Sequence, residues 1–241
     1  MAVRGSFTES FPLFGYDLKD YEALFDEKLD LLQLVNEKTK IDWQGQLTQT
    51  ISDKGVYPRP VQEKLPLWVA TGGHVESTVK IARAGLPIVY AIIGGNPRYF
   101  KKLIQAYREI GRDAGHADKD LKVGAHSWGW IAEDGEQAVK DYFHPTKQVV
   151  DAISKDRPHW QELTYEQYLE QVGPNGAMFV GNPNQVAEKL IRMIENLDLD
   201  RFMLHLPLGS MPHDQVLRAI ELFGTQVAPK VRAYFAMKEG L

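Results

Sequence analysis

The segment Val69-Ala70-Thr71-Gly72-Gly73-His74-Val75-Glu76-Ser77 reads as a strand end, a glycine pair and the start of a helix. Such a bend lets backbone approach a ligand closely. The unpaired N–H groups and positive end of the helix attract an anion, an effect worth about 0.3–1 kcal/mol and up to about 2 kcal/mol when partly buried. A phosphate suits the bend. The same residues also suit a plain turn, in which Gly72 and Gly73 only reverse the chain and Ser77 sits in the first helical turn. At the chain start, Arg4-Gly5-Ser6-Phe7 sets a cation beside pliable backbone, where a guanidinium either reaches a phosphate oxygen or stays solvated.

Two histidines offer acid–base chemistry. His126 lies in Ala125-His126-Ser127-Trp128-Gly129-Trp130, and His205 lies on the last predicted strand, just before Pro207, Gly209 and Ser210. In a barrel, that strand end faces the side where active sites sit. A satisfied structural role is the more common one for each such histidine, and His213 with Asp214 suits the start of the final helix. The sequence has no HExxH, GxSxG, P-loop or EF-hand pattern and no cysteine. Metal hydrolysis, a serine elbow and thiol catalysis therefore lack support. Spacing alone assigns no catalytic residue and no metal ligand.

The elements that must position these residues alternate, with short apolar runs each followed by an amphipathic helix-length stretch, as in βα units. Strands are predicted at 65–70, 88–93, 121–131 and 202–207. Helices are predicted at 74–84, from Pro97 to about Gly111, after Asp134, and over 186–197 behind an Asn182 cap and Pro183. The last helix starts near His213, with Val216, Ala219, Ile220 and Phe223 at helical spacing. Upstream, residues 18–38 read as an amphipathic helix. Residues 41–65 and 144–176 read as irregular, within insertions placed at about 16–64 and 144–176 of one domain spanning 1–241.

The chain has 241 residues, 44% of them hydrophobic, enough to bury a sizeable core. Its 28 Lys and Arg against 32 Asp and Glu give a net charge of −4, unlike the basic footprint of a nucleic-acid binder. No segment reads as a signal peptide or a membrane span, and the absence of cysteine fits a reducing compartment, so a cytoplasmic location is expected.

From Arg4-Gly5-Ser6-Phe7-Thr8-Glu9-Ser10-Phe11-Pro12-Leu13-Phe14-Gly15 onward, the sequence resembles the bacterial luciferase-like flavin-dependent monooxygenase family. The resemblance continues through Gly55-Val56-Tyr57-Pro58-Arg59-Pro60, the glycine bend with Ser77, Val180-Gly181-Asn182-Pro183 and Leu222-Phe223-Gly224-Thr225. It implies an α/β fold of the TIM-type (β/α)8 barrel, incomplete here, with roughly strands 4 to 8 present. It also implies reduced FMN, usually supplied by a separate flavin reductase, with O2 as co-substrate and a small organic molecule as the substrate oxidised. FMN against a deazaflavin is left open.

By position in the family, Arg4 matches the arginine that contacts the FMN phosphate, and Gly73, His74 and Ser77 match the loop holding the same phosphate, beside Gly72. His74 stands where Thr or Ser is common, and Val3 where Gly is common. Half a barrel would expose sheet edges and apolar faces, so a homo-oligomer or a complementing barrel half is expected. The competing function is a non-catalytic flavin- or phosphate-binding remnant of the family.

Overall fold

The computed structural model describes residues 2–3, 10–157 and 160–240, in two compact units, Met1–Ala70 and Thr71–Leu241. The first unit contains β1 (Ala2–Val3), α1 (Ser10–Leu13), α2 (Tyr21–Glu37), β2 (Ile41–Trp43), β3 (Ile51–Lys54) and the first two residues of β4 (Val69–Thr71). β1 runs parallel to β4, with Ala2 opposite Val69 and Val3 opposite Ala70.

The helix predicted over 18–38 is present as a 3₁₀ turn, Leu18–Asp20, followed by α2, which buries Leu24. The stretch expected to be irregular instead contains an antiparallel hairpin, with Ile41 opposite Lys54 and Trp43 opposite Ile51. Glu27 of α2 organises its loop by accepting the N–H groups of Gln46 (2.9 Å), Leu47 (3.0 Å) and Thr48 (2.7 Å). The Thr48 hydroxyl and these amides hold the Glu27 carboxyl down to about 2. Farther on, the Arg59 guanidinium donates to the carbonyls of Val35 (2.9 Å) and Asn36 (3.2 Å), satisfying the C-terminal end of α2.

The second unit follows the predicted alternation: α3 (Val75–Arg83), β5 (Ile88–Ala91), α4 (Phe100–Asp113), β6 (Val123–Ile131), α5 (Gly135–Asp156), α6 (Tyr165–Val172), β7 (Phe179–Gly181), α7 (Pro183–Leu197), β8 (Arg201–His205), α8 (His213–Leu222) and α9 (Ala228–Glu239). A single π turn, Phe223–Val227, joins the last two helices. The central strand is β6. Its first half pairs in parallel with β5 on one edge and β8 on the other, and its last three residues pair with β7. Ile88, Val89 and Tyr90 of β5 and Val123 and Ala125 of β6 are almost fully buried, as near-continuous apolar parallel strands require. Among the described residues of this unit the sheet is parallel and open.

Residues 144–176 correct the expectation of irregular structure. α5 continues through Pro145 because packing outweighs the lost backbone bond. Tyr142 stacks on Trp130 at 5.9 Å, and Phe143 packs against Tyr165 at 4.9 Å and Tyr168 at 5.2 Å. α6 then starts at a reciprocal cap between Thr164 and Gln167. β7 is a further strand, where the sequence predicts only a helix cap.

The Asn182 cap is as predicted: its side chain accepts the N–H groups of Asn184 (3.0 Å) and Gln185 (3.1 Å), and Pro183 opens α7. Asn182→Ala is expected to destabilise the chain by about 1 kcal/mol, measured by urea unfolding. No helix among the described residues is long and apolar enough to cross a membrane.

Candidate functional site

After β4 the chain turns through Gly72 and Gly73 into α3. Gly73 has φ +100°, and a Cβ there would lie 2.7 Å from the Phe100 ring. That ring, at the first residue of α4, rests edge-on against Tyr90 at 5.5 Å. The backbone at Gly73 therefore lies flush on an aromatic pair, in a conformation that side chains disfavour. Gly72 is exposed, and a Cβ there would meet nothing within 4 Å.

His74 is the N-cap of α3, with extended backbone, an exposed ring and no capping bond from its side chain. By contrast, Asp134, Thr164 and Asn182 cap α5, α6 and α7 with their own side chains. First-turn amides have no partner within their helix, so those of α3 suit an anion. Underneath, the Thr78 hydroxyl donates to the His74 carbonyl at 3.0 Å and lies 3.1 Å from the Tyr90 hydroxyl. Burial pushes Tyr90 up to about 12, which keeps it a neutral partner of Thr78. Ser77 is only 5% exposed, packed on the inner side of the helix. Arg4 lies outside the described residues.

The two histidines, unrelated in sequence, are brought together by register. Tyr90 faces α3, and its in-register neighbours Ala125 and Phe202 share that side of the sheet. The alternate residues Ala91, His126 and Met203 point the other way, as do Trp128 and its partner His205. On that face the rings of His126 and His205 lie 5.5 Å apart. Trp128 is buried, with Trp160 6.3 Å from it.

Burial, and after it the neighbouring His205, lowers the His126 pKa, so His126 is neutral at pH 7 and holds a proton on one ring nitrogen. A folded value below the unfolded one means that stability is lost as pH falls from about 6.5 toward that lower value. His205→Gln is expected to raise the His126 titration midpoint without restoring the ordinary value, as followed by NMR of the imidazole C–H groups.

His213 and Asp214 occupy the first turn of α8, as read from the sequence. Sequence reasoning missed Trp160, which nothing local ties to Trp128, and it also missed Lys189. The Lys189 amine is buried and donates to the carbonyls of Gln171 (3.3 Å), Val172 (2.9 Å), Gly173 (2.7 Å) and Met178 (2.6 Å). It thereby ties the end of α6 to the approach to β7. Burial first, then Arg192, lowers its pKa to about 7. Among the described residues no cluster of His, Asp or Glu could hold a metal ion.

Residues 1–200 match the luciferase-like monooxygenase family. The fold is similar to that of several solved structures. Monooxygenase RslO1 from Streptomyces bottropensis superposes with a TM-score of 0.77 at 19% identity, over 94% of this chain and 67% of that one. An F420-dependent secondary alcohol dehydrogenase in complex with an F420-acetone adduct gives 0.70 at 16% identity, over 95% and 68%. The oxygenating constituent of 3,6-diketocamphane monooxygenase from Pseudomonas putida, in complex with FMN, gives 0.62 at 15% identity, over 95% and 69%. The chain thus spans about two thirds of the length of each.

Proposed function

The chain belongs to the luciferase-like monooxygenase family, and from that premise we propose that it binds reduced FMN, places the flavin phosphate at the Gly72–Ser77 bend, and oxidises a small organic molecule with O2. The observation that carries this reading is the left-handed bend at Gly73, seated on Phe100 ahead of a helix with no side-chain cap. An FMN complex and an F420 complex among the structural neighbours support a flavin-type cofactor for the fold.

FMN fits the donors present. The amides at the start of α3 donate to the phosphate, Gly72 leaves the approach clear of side chain, and the Thr78–Tyr90 contact keeps the amides aimed. The bound flavin supplies reducing electrons for oxygen. On the histidine-bearing face, Trp128 and Trp160 offer apolar surface that keeps water from an organic substrate. His126, uncharged at neutral pH, accepts a proton at its free ring nitrogen, and His205 lies exposed beside it. A separate flavin reductase supplies the reduced cofactor.

The test is anaerobic titration with reduced FMN and, separately, reduced F420, followed by admission of O2 with candidate organic substrates. Micromolar binding of reduced FMN and an oxygenated product are expected. Binding of F420 alone would overturn the choice of cofactor. FMN binding with no product from any substrate class would favour a flavin-binding protein without turnover.

A further inference from the structure

A cavity of about 300 Å³ opens in the second unit, between the turn after β5, the turn after α6, and α7. Its size is at the lower end for small-molecule sites. The ionisable residues lining it are all cationic: Arg98, Lys189 and Arg192. Among the described residues no carboxylate lines it, and neither arginine forms an ion pair with one. Phe179, Met193 and Leu197 give it an apolar wall.

Lys189 cannot itself serve as the ligand's main partner, because its amine is already committed to four carbonyls. With a pKa of about 7 its amine is only partly protonated at neutral pH, so the positive charge it adds behind the wall is partial. Arg98 and Arg192 are exposed and able to turn toward a ligand, and the guanidinium is suited to bidentate contact with a carboxylate or phosphate. The two guanidinium groups, joined by Lys189 when it is protonated, stand around one apolar cavity with no carboxylate among its lining residues, and an anion balances them.

We propose that this cavity binds a small organic anion, a carboxylate or phosphate ester on an apolar body, with Arg98 and Arg192 holding the charged group and Phe179, Met193 and Leu197 taking the body. None of its lining residues belongs to the Gly72–Ser77 bend. The site is therefore additional to the proposed flavin phosphate site and does not depend on it.

Calorimetric titration of the full chain with phenyl phosphate, benzoate, inorganic phosphate and benzyl alcohol tests the proposal, each in the presence and absence of saturating FMN. Phenyl phosphate, benzoate or both are expected to bind at least about tenfold more tightly than benzyl alcohol or inorganic phosphate, with FMN leaving that affinity unchanged. Preference for phenyl phosphate or benzoate identifies the charged group. Arg98→Gln and Arg192→Gln, both at exposed positions, are expected to weaken binding about fivefold each while leaving FMN affinity unchanged and without lowering the melting temperature. Failure of both aromatic anions to bind, equal affinity for benzyl alcohol, displacement by FMN, or unchanged affinity in both variants would each overturn the proposal.

Discussion

Gly73→Ala is expected to weaken FMN binding by about tenfold or more, equivalent to about 1.4 kcal/mol, and to lower stability by about 1–3 kcal/mol. Two causes act together. At φ +100° an alanine is strained whatever space surrounds it, and its Cβ would press on the Phe100 ring, which cannot retreat without disturbing Tyr90. The strain would be relieved by opening the bend, which moves the first amides of α3 away from the phosphate. Gly72→Ala is the control, since a Cβ there meets nothing within 4 Å. It should melt with the wild type, and any loss of FMN affinity then reports only the methyl group in the ligand's path. Fluorescence titration with FMN and thermal melts of both variants separate the two effects.

Lys189→Met is expected to have the largest effect on stability, about 3 kcal/mol or more by urea unfolding. Methionine keeps an apolar stem of similar length but donates nothing, so four carbonyls lose a shared donor inside the protein. Lys189→Arg should not rescue it, because a planar guanidinium cannot converge on four oxygens grouped around one point. Burial lowers the folded pKa from 10.5 to about 7, so in that window the unfolded chain binds more protons than the folded one. The unfolding free energy of the wild type should therefore rise with pH from about 7 to 10, a slope that the methionine variant lacks.

What the sequence discloses depends on the range of the forces involved. The caps at Asp134 and Asn182, Pro183 at the start of α7, the glycine bend and the helix opening at His213 are set by neighbours within a few residues, and each stands where local reasoning puts it, whereas α9 beyond it is a helix that sequence reasoning does not predict. The hairpin at β2 and β3 has no short glycine turn to announce it, because its loop is held by Glu27 from a helix nearly twenty residues earlier. α5 outlasts Pro145 only because Tyr142 and Phe143 find aromatic partners elsewhere in the chain.

α6 was more accessible, since Thr164 and Gln167 have the spacing of a reciprocal cap. The His126 and His205 pair needs the strand order, which places β8 beside β6, before it can be seen at all. Lys189 looks like any charged residue on an amphipathic helix until the end of α6 is placed over it. Ser77 shows the opposite limit: its type suits a phosphate, but its packing keeps it 5% exposed, so the backbone carries more of the proposed contact than the side chain.

The most direct measurement compares FMN with riboflavin, which has the same ring system and lacks the phosphate. If the bend at Gly73 and the start of α3 receive that phosphate, FMN binds at least about tenfold more tightly than riboflavin, and Gly73→Ala removes most of the difference. Equal affinity of the two flavins, or a preference for FMN that survives Gly73→Ala intact, would contradict it.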